Sequence, residues 1–449
     1  MTSLSAVANR AVGQPRKPFA MTIPQEKTLT DSFDAGLPVA GRWQNSSHVQ
    51  LTLIWLLGIV CVLDSMIIAS LLTPIKAEFG FTDEQIGRLS SMFTLAGLIG
   101  APIFGVLANR FGRKAVLLTG VAIWSVSSIA TGFAVGFLGL LFWRVATGFG
   151  EAAYNSLAPS WLADLYRPRW RNLVFSLYML KNKVGTAAAL ALGGWLATEY
   201  GWRTAFFVAG LPGLLLAVLL LWVKEPAIGA HDDVGGTPLV AVKPGVRESL
   251  AVFRYPGYIL HSLALLFFFI AMSVQIWIPA YLHRVFELGN QQASDFLAQV
   301  LLYTLPVGLI GGYFSSVALR SFRWGFPAFL ATTSLLACAA FATAYGSRDL
   351  TLTRAGIAAG IALFGFSAGT LTTLIVETVP PYLRNSATAW SIVLTSGIAG
   401  IVGPELVGRL SDVHTLAVAV FVAPAGYAIA GLLWIILAIW LGRSAREPA

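Results

Sequence analysis

Five ionisable residues stand in stretches that are otherwise apolar or small. Lys181 and Lys183 flank Asn182 in Tyr178-Met-Leu-Lys-Asn-Lys-Val-Gly185. Arg144 and Glu151 lie seven residues apart with Gly148 between them, and Tyr154 and Asn155 follow; Asp64 lies in a third apolar run. Cations in such places can hold an anion. A carboxyl group there can take up and release a proton, because burial disfavours its charged form and a neighbouring cation favours it. The chain has no cluster with metal-ligand spacing, no phosphate-cradling P-loop and no His/Asp pair suited to hydrolysis. No metal, cofactor or enzymatic reaction is therefore expected. Cys61 and Cys338 fall in apolar segments and read as inert.

The elements that must position these groups follow from composition. Of 449 residues, 56% are hydrophobic and 11% charged, against roughly 25% charged in soluble domains. Mean hydropathy is +0.73. Repeated apolar runs of about 20 residues point to spanning helices, and their continuity excludes the alternating strands of a membrane barrel. The expected class is an all-α integral membrane protein with twelve transmembrane helices in two six-helix, pseudo-symmetric bundles. The spans fall at about 50–73, 84–108, 113–133, 136–164, 170–197 and 203–223, then 256–285, 292–319, 325–346, 352–379, 385–409 and 415–442. Residues 1–48 and 443–449 read as cytoplasmic tails, 49–223 and 256–442 as the bundles, and 224–255, rich in Gly, Pro and charge, as a cytoplasmic linker.

With both termini placed in the cytoplasm, Arg110, Arg113, Lys114, Arg167, Arg169, Arg171, Arg320, Arg323 and Arg384 all fall inside. That is the bias of a multi-pass protein of the cell inner membrane, and it explains a net charge of +9 without nucleic acid. The halves also repeat. Arg110-x-Gly112 recurs as Arg323-x-Gly325, and Pro168-x-x-Arg171-Asn172 as Pro381-x-x-Arg384-Asn385, both 213 residues on.

Burying an ionisable side chain at bilayer depth costs about 2.5–3.5 kcal/mol even on insertion scales, so each needs a purpose. Lys181 lies ten residues past Arg171, hence about 15 Å into a core about 30 Å thick. Lys181 and Lys183 are about 200° apart around a helix. One should face a central cavity and the other a neighbouring helix or carboxylate; Lys181 is the one expected at the cavity. Arg144 and Glu151 share a face two turns apart, which Tyr154 continues. Asn182, Gln275, Tyr303 and Trp390 complete the residues expected to bind a substrate.

The loop Gly105-Val-Leu-Ala-Asn-Arg-Phe-Gly-Arg-Lys114 resembles the signature loop of the major facilitator superfamily, with Asn109 where an Asp is usual. In that resemblance Gly105, Asn109, Arg110, Gly112 and Arg113 form a gating loop. Residues 50–226 are similar to the spinster-like family of lysolipid and sphingolipid transporters, through "LLTPIKAEFGFTDEQIGRLS", Arg144-x-x-x-Gly148-x-Gly150-Glu151-Ala152 and "GWRTAFFVAGLPGLLLAVLLLWVKEP". The second half matches only superfamily patterns, Gly403-Pro404 and Gly408-x-x-Ser411-Asp412. Two departures stand out: Ser65 where the family has Arg after the first-helix Asp, and Lys181-Asn182-Lys183 where it has an uncharged A-I-P.

The resemblance implies a monomeric secondary transporter working by alternating access between its halves. Asp64 and Glu151 would couple protons. The relocated positive charge would select an anionic small molecule or amphiphile, in contact with membrane lipids. Two alternatives are a lysophospholipid or sphingoid lipid exporter and a sensor that keeps the fold without transport.

Overall fold

The computed structural model describes residues 46–227, 250–318, 324–380 and 383–444. The expected tails, most of the linker, Arg320 of the inside-facing set, and Arg323 and Pro381 of the repeat lie wholly or mainly outside the described residues, as do the side chains of Arg171, Asn172 and Asn385.

Every regular element among the described residues is helical. The first bundle comprises α1 (Ser47–Phe79), α2 (Asp83–Phe111), α3 (Arg113–Thr131), α4 (Phe137–Leu165), α5 (Pro168–Glu199) and α6 (Trp202–Leu221). The second comprises α7 (Pro256–Phe286), α8 (Asn290–Tyr303 and Leu305–Ala318), α9 (Gly325–Gly346), α10 (Leu350–Glu377), α11 (Ser386–Val413) and α12 (Leu416–Arg443). Ten of these are long and apolar enough to cross a membrane. The other two, α4 and α5, carry Arg144 and Glu151, and Lys181 and Lys183, at mid-helix.

Local chemistry sets the boundaries. Gly80 closes α1 in the left-handed conformation (φ 66°), and its N–H reaches the Lys76 carbonyl. Thr82 and Gln85 form a reciprocal capping box at the start of α2. Gly112 (φ 85°) makes the turn from α2 to α3, a backbone state that side chains with a Cβ rarely adopt.

The bundles differ in regularity. Helices of the second are interrupted: α7 by a 3₁₀ stretch at Val274–Trp277, α8 at Thr304, and α11 by a π-helical stretch at Val393–Ala399. Sequence patterning had given α7, α8 and α11 as unbroken. Irregular backbone at membrane depth is tolerated where it is buried in protein or lines a cavity, and Gln275, Leu301 and Thr395 next to these breaks all line one.

Buried apolar residues fall into two clusters. One runs through the second bundle (Phe268, Tyr281, Leu330, Trp434) and on into Ile67, Leu71, Ile75 and Leu89 of the first. The other (Ile54, Leu117, Trp161, Leu165) holds first-bundle residues alone. The bundles are thus fused through a shared core at the end that carries the α1–α2 turn. At the end that carries the signature loop, the first bundle has a core of its own.

Candidate functional site

Between the bundles lies a cavity of about 780 Å³. Its charged lining residues are Arg144, Glu151 and Lys183; Asn155, Asn182 and Gln275 add polarity, and most of the remaining wall is apolar.

Arg144 is 1% exposed and Asp64 not at all. The guanidinium donates from Nη1 to the Asp64 carbonyl (3.3 Å) and from Nη2 to the Ser65 carbonyl (3.2 Å). Its Nη1 stands 3.9 Å from Asp64 Oδ1, and its plane covers the Phe93 ring at 4.4 Å. Ser128 Oγ donates to Asp64 Oδ1 at 2.6 Å. Ser65, at the position of the family's arginine, thus offers Arg144 its carbonyl. The set is incompletely satisfied: Asp64 Oδ2, Arg144 Nε and Glu151 Oε1 are buried with no hydrogen-bond partner. Unpaired polar atoms at such depth are costly, and those of Arg144 and Glu151 belong to cavity-lining residues.

The two lysines divide as helical geometry requires, but in the opposite sense to the expectation. Lys183 lines the cavity, and Lys181 is 3% exposed inside the first bundle. The Lys181 amine lies 4.7 Å from the Tyr154 ring and 4.6 Å from the Tyr178 ring, a cation–π sandwich. The reason is glycine packing. Lys181 and Gly185 share a face, four residues apart. A Cβ on Gly185 would come 2.9 Å from the Ile59 carbonyl of α1, and one on Gly58 2.5 Å from the Lys181 side chain. That face of α5 is pressed on α1, which turns Lys183 outward. Its Nζ donates to the Thr304 carbonyl of α8 at 2.9 Å.

Three further expectations are relocated. Tyr154 stands behind the cavity wall, fully buried, with its hydroxyl donating to the Ile54 carbonyl at 2.9 Å. Trp390 packs on Phe253, ring centres 5.5 Å apart, away from the cavity lining. Tyr303 is 76% exposed and is not a lining residue, because it ends the outer segment of α8 at the break. Asn182 and Gln275 do line the cavity.

Apart from the Lys183–Thr304 bond, the hydrogen bonds and ion pairs described between the bundles gather at the fused end. Asp83, at the start of α2, accepts from Arg284 of α7 (2.6 and 2.8 Å), from Ser411 of α11 (2.5 Å) and from Lys76 (2.5 Å). Asp412 of α11 accepts from the backbone N–H groups of Asp83 and Glu84 (2.8 and 2.7 Å), where a helix N-terminus welcomes negative charge. Arg88 bridges Glu84 and Glu405, and Arg409 bridges the same pair. Close approach is required: a Cβ on Gly408 would come 2.3 Å from the Asp83 carbonyl. Reading along the chain had taken Asp83 and Ser411-Asp412 only as parts of family patterns, because nothing in a single sequence pairs residues more than 300 positions apart.

The signature loop looks inward to its own bundle. Arg113 binds Asp164 (2.5 Å), Glu225 (3.1 Å) and the Pro226 carbonyl (2.7 Å). The Glu225 carboxylate also accepts from the Arg113 and Lys114 backbone N–H groups that open α3. Asn109 and Arg110 are exposed, and Gly105 is half-buried with open space around it.

The sequence model of the Major Facilitator Superfamily matches residues 54–404. Mouse (Mus musculus) protein spinster homolog 1 is 29% identical over 426 residues, 90% of this chain and 80% of that protein. The mouse sphingosine-1-phosphate transporter SPNS2 is 31% identical over 226 residues, 49% of this chain and 41% of that one. Among solved structures, a bacterial homolog of the human lysosomal transporter spinster, inward-facing and unoccupied, superposes with a TM-score of 0.74. It is 23% identical, and the match covers 91% of this chain and 100% of that one. The family match spans well over half the chain, and with the two-bundle fold and its central cavity it places the protein in the Major Facilitator Superfamily, a multi-pass membrane transporter related to the spinster proteins.

Proposed function

We propose that the protein moves an anionic amphiphile or small organic anion by alternating access, coupled to protons. The observation that carries this is the charge of the cavity. Counting the buried groups behind its wall, Arg144, Lys181 and Lys183 stand against Glu151 and Asp64, a formal surplus of one positive charge around a mostly apolar lining. In a low-dielectric interior such a surplus draws an anion, and the apolar wall suits a hydrocarbon tail. The name of the relative SPNS2 fits that chemistry, since sphingosine 1-phosphate joins a phosphate to an apolar chain.

In this reading all twelve long helices cross the membrane, the signature-loop end is cytoplasmic, as are both termini, and the chain works as a monomer in the cell inner membrane. The Asp83 knot is then the closed outer gate, and the cavity is accessible from the cytoplasmic side. Asp64 and Glu151 carry the protons: Glu151 meets the cavity directly, and Asp64 responds through Arg144, which bonds its backbone and faces its carboxylate.

The test is flux of sphingosine 1-phosphate in proteoliposomes, with sphingosine, which keeps the amine and lacks the phosphate, as the control and with an imposed pH gradient. Wild type is expected to move the phosphate in preference, and Glu151→Gln and Asp64→Asn to lose the acceleration by the gradient, about tenfold or more. Intact pH-driven flux in both variants would sink the proton assignment. Binding of every ligand tried with flux of none would favour a sensor.

A further inference from the structure

The Lys183–Thr304 bond joins α5 to α8 where α8 changes direction. The outer segment of α8, Asn290–Tyr303, packs along α5, whereas the inner segment, Leu305–Ala318, packs on α10. Two features produce the change. Pro306 has no N–H to return to the Leu302 carbonyl. Gly308 and Gly311 bring the inner segment against the α10 backbone: Cβ atoms there would meet the Gly365 carbonyl at 3.3 Å and the Phe366 carbonyl at 1.9 Å. The two helices fork at Thr304, and the Lys183 amine stands at the apex, 3.6 Å from a Cβ on Gly365. On the inner side of the fork Leu177 of α5 and Ile310 of α8 are exposed, at 42% and 60%.

We propose that Lys183 is a cargo-exchanged latch: without cargo it ties the bundles at the fork through the Thr304 carbonyl, and the phosphate or carboxylate of the cargo replaces that carbonyl. This rests on the anionic-cargo reading above. An ammonium group carries three donors and no acceptor, and at bilayer depth it must give them to something. A neutral carbonyl is a weaker partner than an anionic oxygen, whose charge-assisted bond is about twice as strong. Cargo therefore removes the α5–α8 tie when its headgroup arrives. A ligand shifts a conformational equilibrium only through a difference in interaction between states, and the exchange supplies that difference. The second lysine cannot substitute, because Lys181 is held between Tyr154 and Tyr178.

Spin labels at Leu177→Cys and Ile310→Cys, in a Cys338→Ser background, report the fork by their separation. Sphingosine 1-phosphate is expected to shift the distance distribution, sphingosine to leave it in place, and inorganic phosphate to act only if the headgroup alone suffices. Lys183→Met should show the shifted distribution with no ligand, and Lys183→Arg should keep the original one. Lys183→Met should also lower the affinity preference for sphingosine 1-phosphate over sphingosine about tenfold. An unshifted ligand-free Lys183→Met would overturn the latch. A shifted Lys183→Met that keeps the full phosphate preference would overturn the exchange. If wild type binds none of the three probes, the anionic-cargo reading fails and the exchange with it, whereas the ligand-free distances still decide the latch.

Discussion

At the fused end of the molecule a carboxylate of α11, Asp412, receives the first two backbone N–H groups of α2, and Asp83 gathers Lys76, Arg284 and Ser411. At the other end, the signature loop has Asn109 where the similar family carries an Asp that helps lock the loop, and Asn109 is exposed. Arg113 there is spent on Asp164 and Glu225 of its own bundle. One end is knotted across the bundles by charge-assisted bonds. At the other, the bonds described for Arg113 stabilise a single bundle. The difference favours the conformation observed, with the Asp83 end shut. It also means that the balance between the two ends can be shifted without touching the central cavity.

The comparison breaks most readily at Asp83, which is 2% exposed. Asp83→Ala is expected to cost the closed end about 3 kcal/mol, the low end of the range for breaking a buried pair, because Arg284 and Lys76 keep some contact with solvent. That is roughly a hundredfold change in the conformational ratio. A cysteine at Thr94, which lines the cavity, should then react faster with an impermeant thiol reagent added from the Asp83 side. An unchanged rate would mean that the shared apolar core, and not the knot, holds the end shut. Gly408→Val probes the same end through packing. Its side chain would meet the Asp83 carbonyl, and overpacking of this kind costs about 1–3 kcal/mol, so the same labelling rate should rise by a smaller factor. Asn109→Asp sharpens the comparison from the other side. An exposed ion pair across the loop end is worth about 0.2–1 kcal/mol, so restoring the charge should favour closure there by that much and give a modest rise in Thr94→Cys labelling from the Asp83 side, weaker at high salt.

The helices were legible because a bilayer demands long apolar runs, and the polar centre because ionisable residues in those runs are expensive. The single-face placement of Arg144 and Glu151 followed from helical period. The rotation of α5 did not: it depends on Gly185 packing on Ile59 and Val62 of α1 and on Gly58 of α1 leaving room for the Lys181 side chain, although the Lys181/Gly185 spacing was a usable sign that this face is the packed one. The relocation of Tyr154 and Trp390 behind the wall has the same origin, since aromatic side chains serve a core as readily as a cavity. The Asp83 knot is a tertiary fact, set by which helix ends meet and by how closely Gly408 lets them approach, whereas the Thr304 break had a local sign in Pro306.

The irregular stretches of the second bundle have a mechanical consequence. The six helices of the first bundle, which carries the ionisable groups, have no 3₁₀ or π-helical interruption, so that bundle is the stiffer frame of the two. A π-helical stretch such as Val393–Ala399 holds extra residues per turn and can trade hydrogen-bond partners along its length. Together with the 3₁₀ stretch in α7 and the break in α8, it gives the second bundle three flexures, all level with the central cavity. The charges sit on the anvil and the bending on the spring, so the second bundle can reshape its wall of the cavity while the ionisable groups of the first keep their spacing.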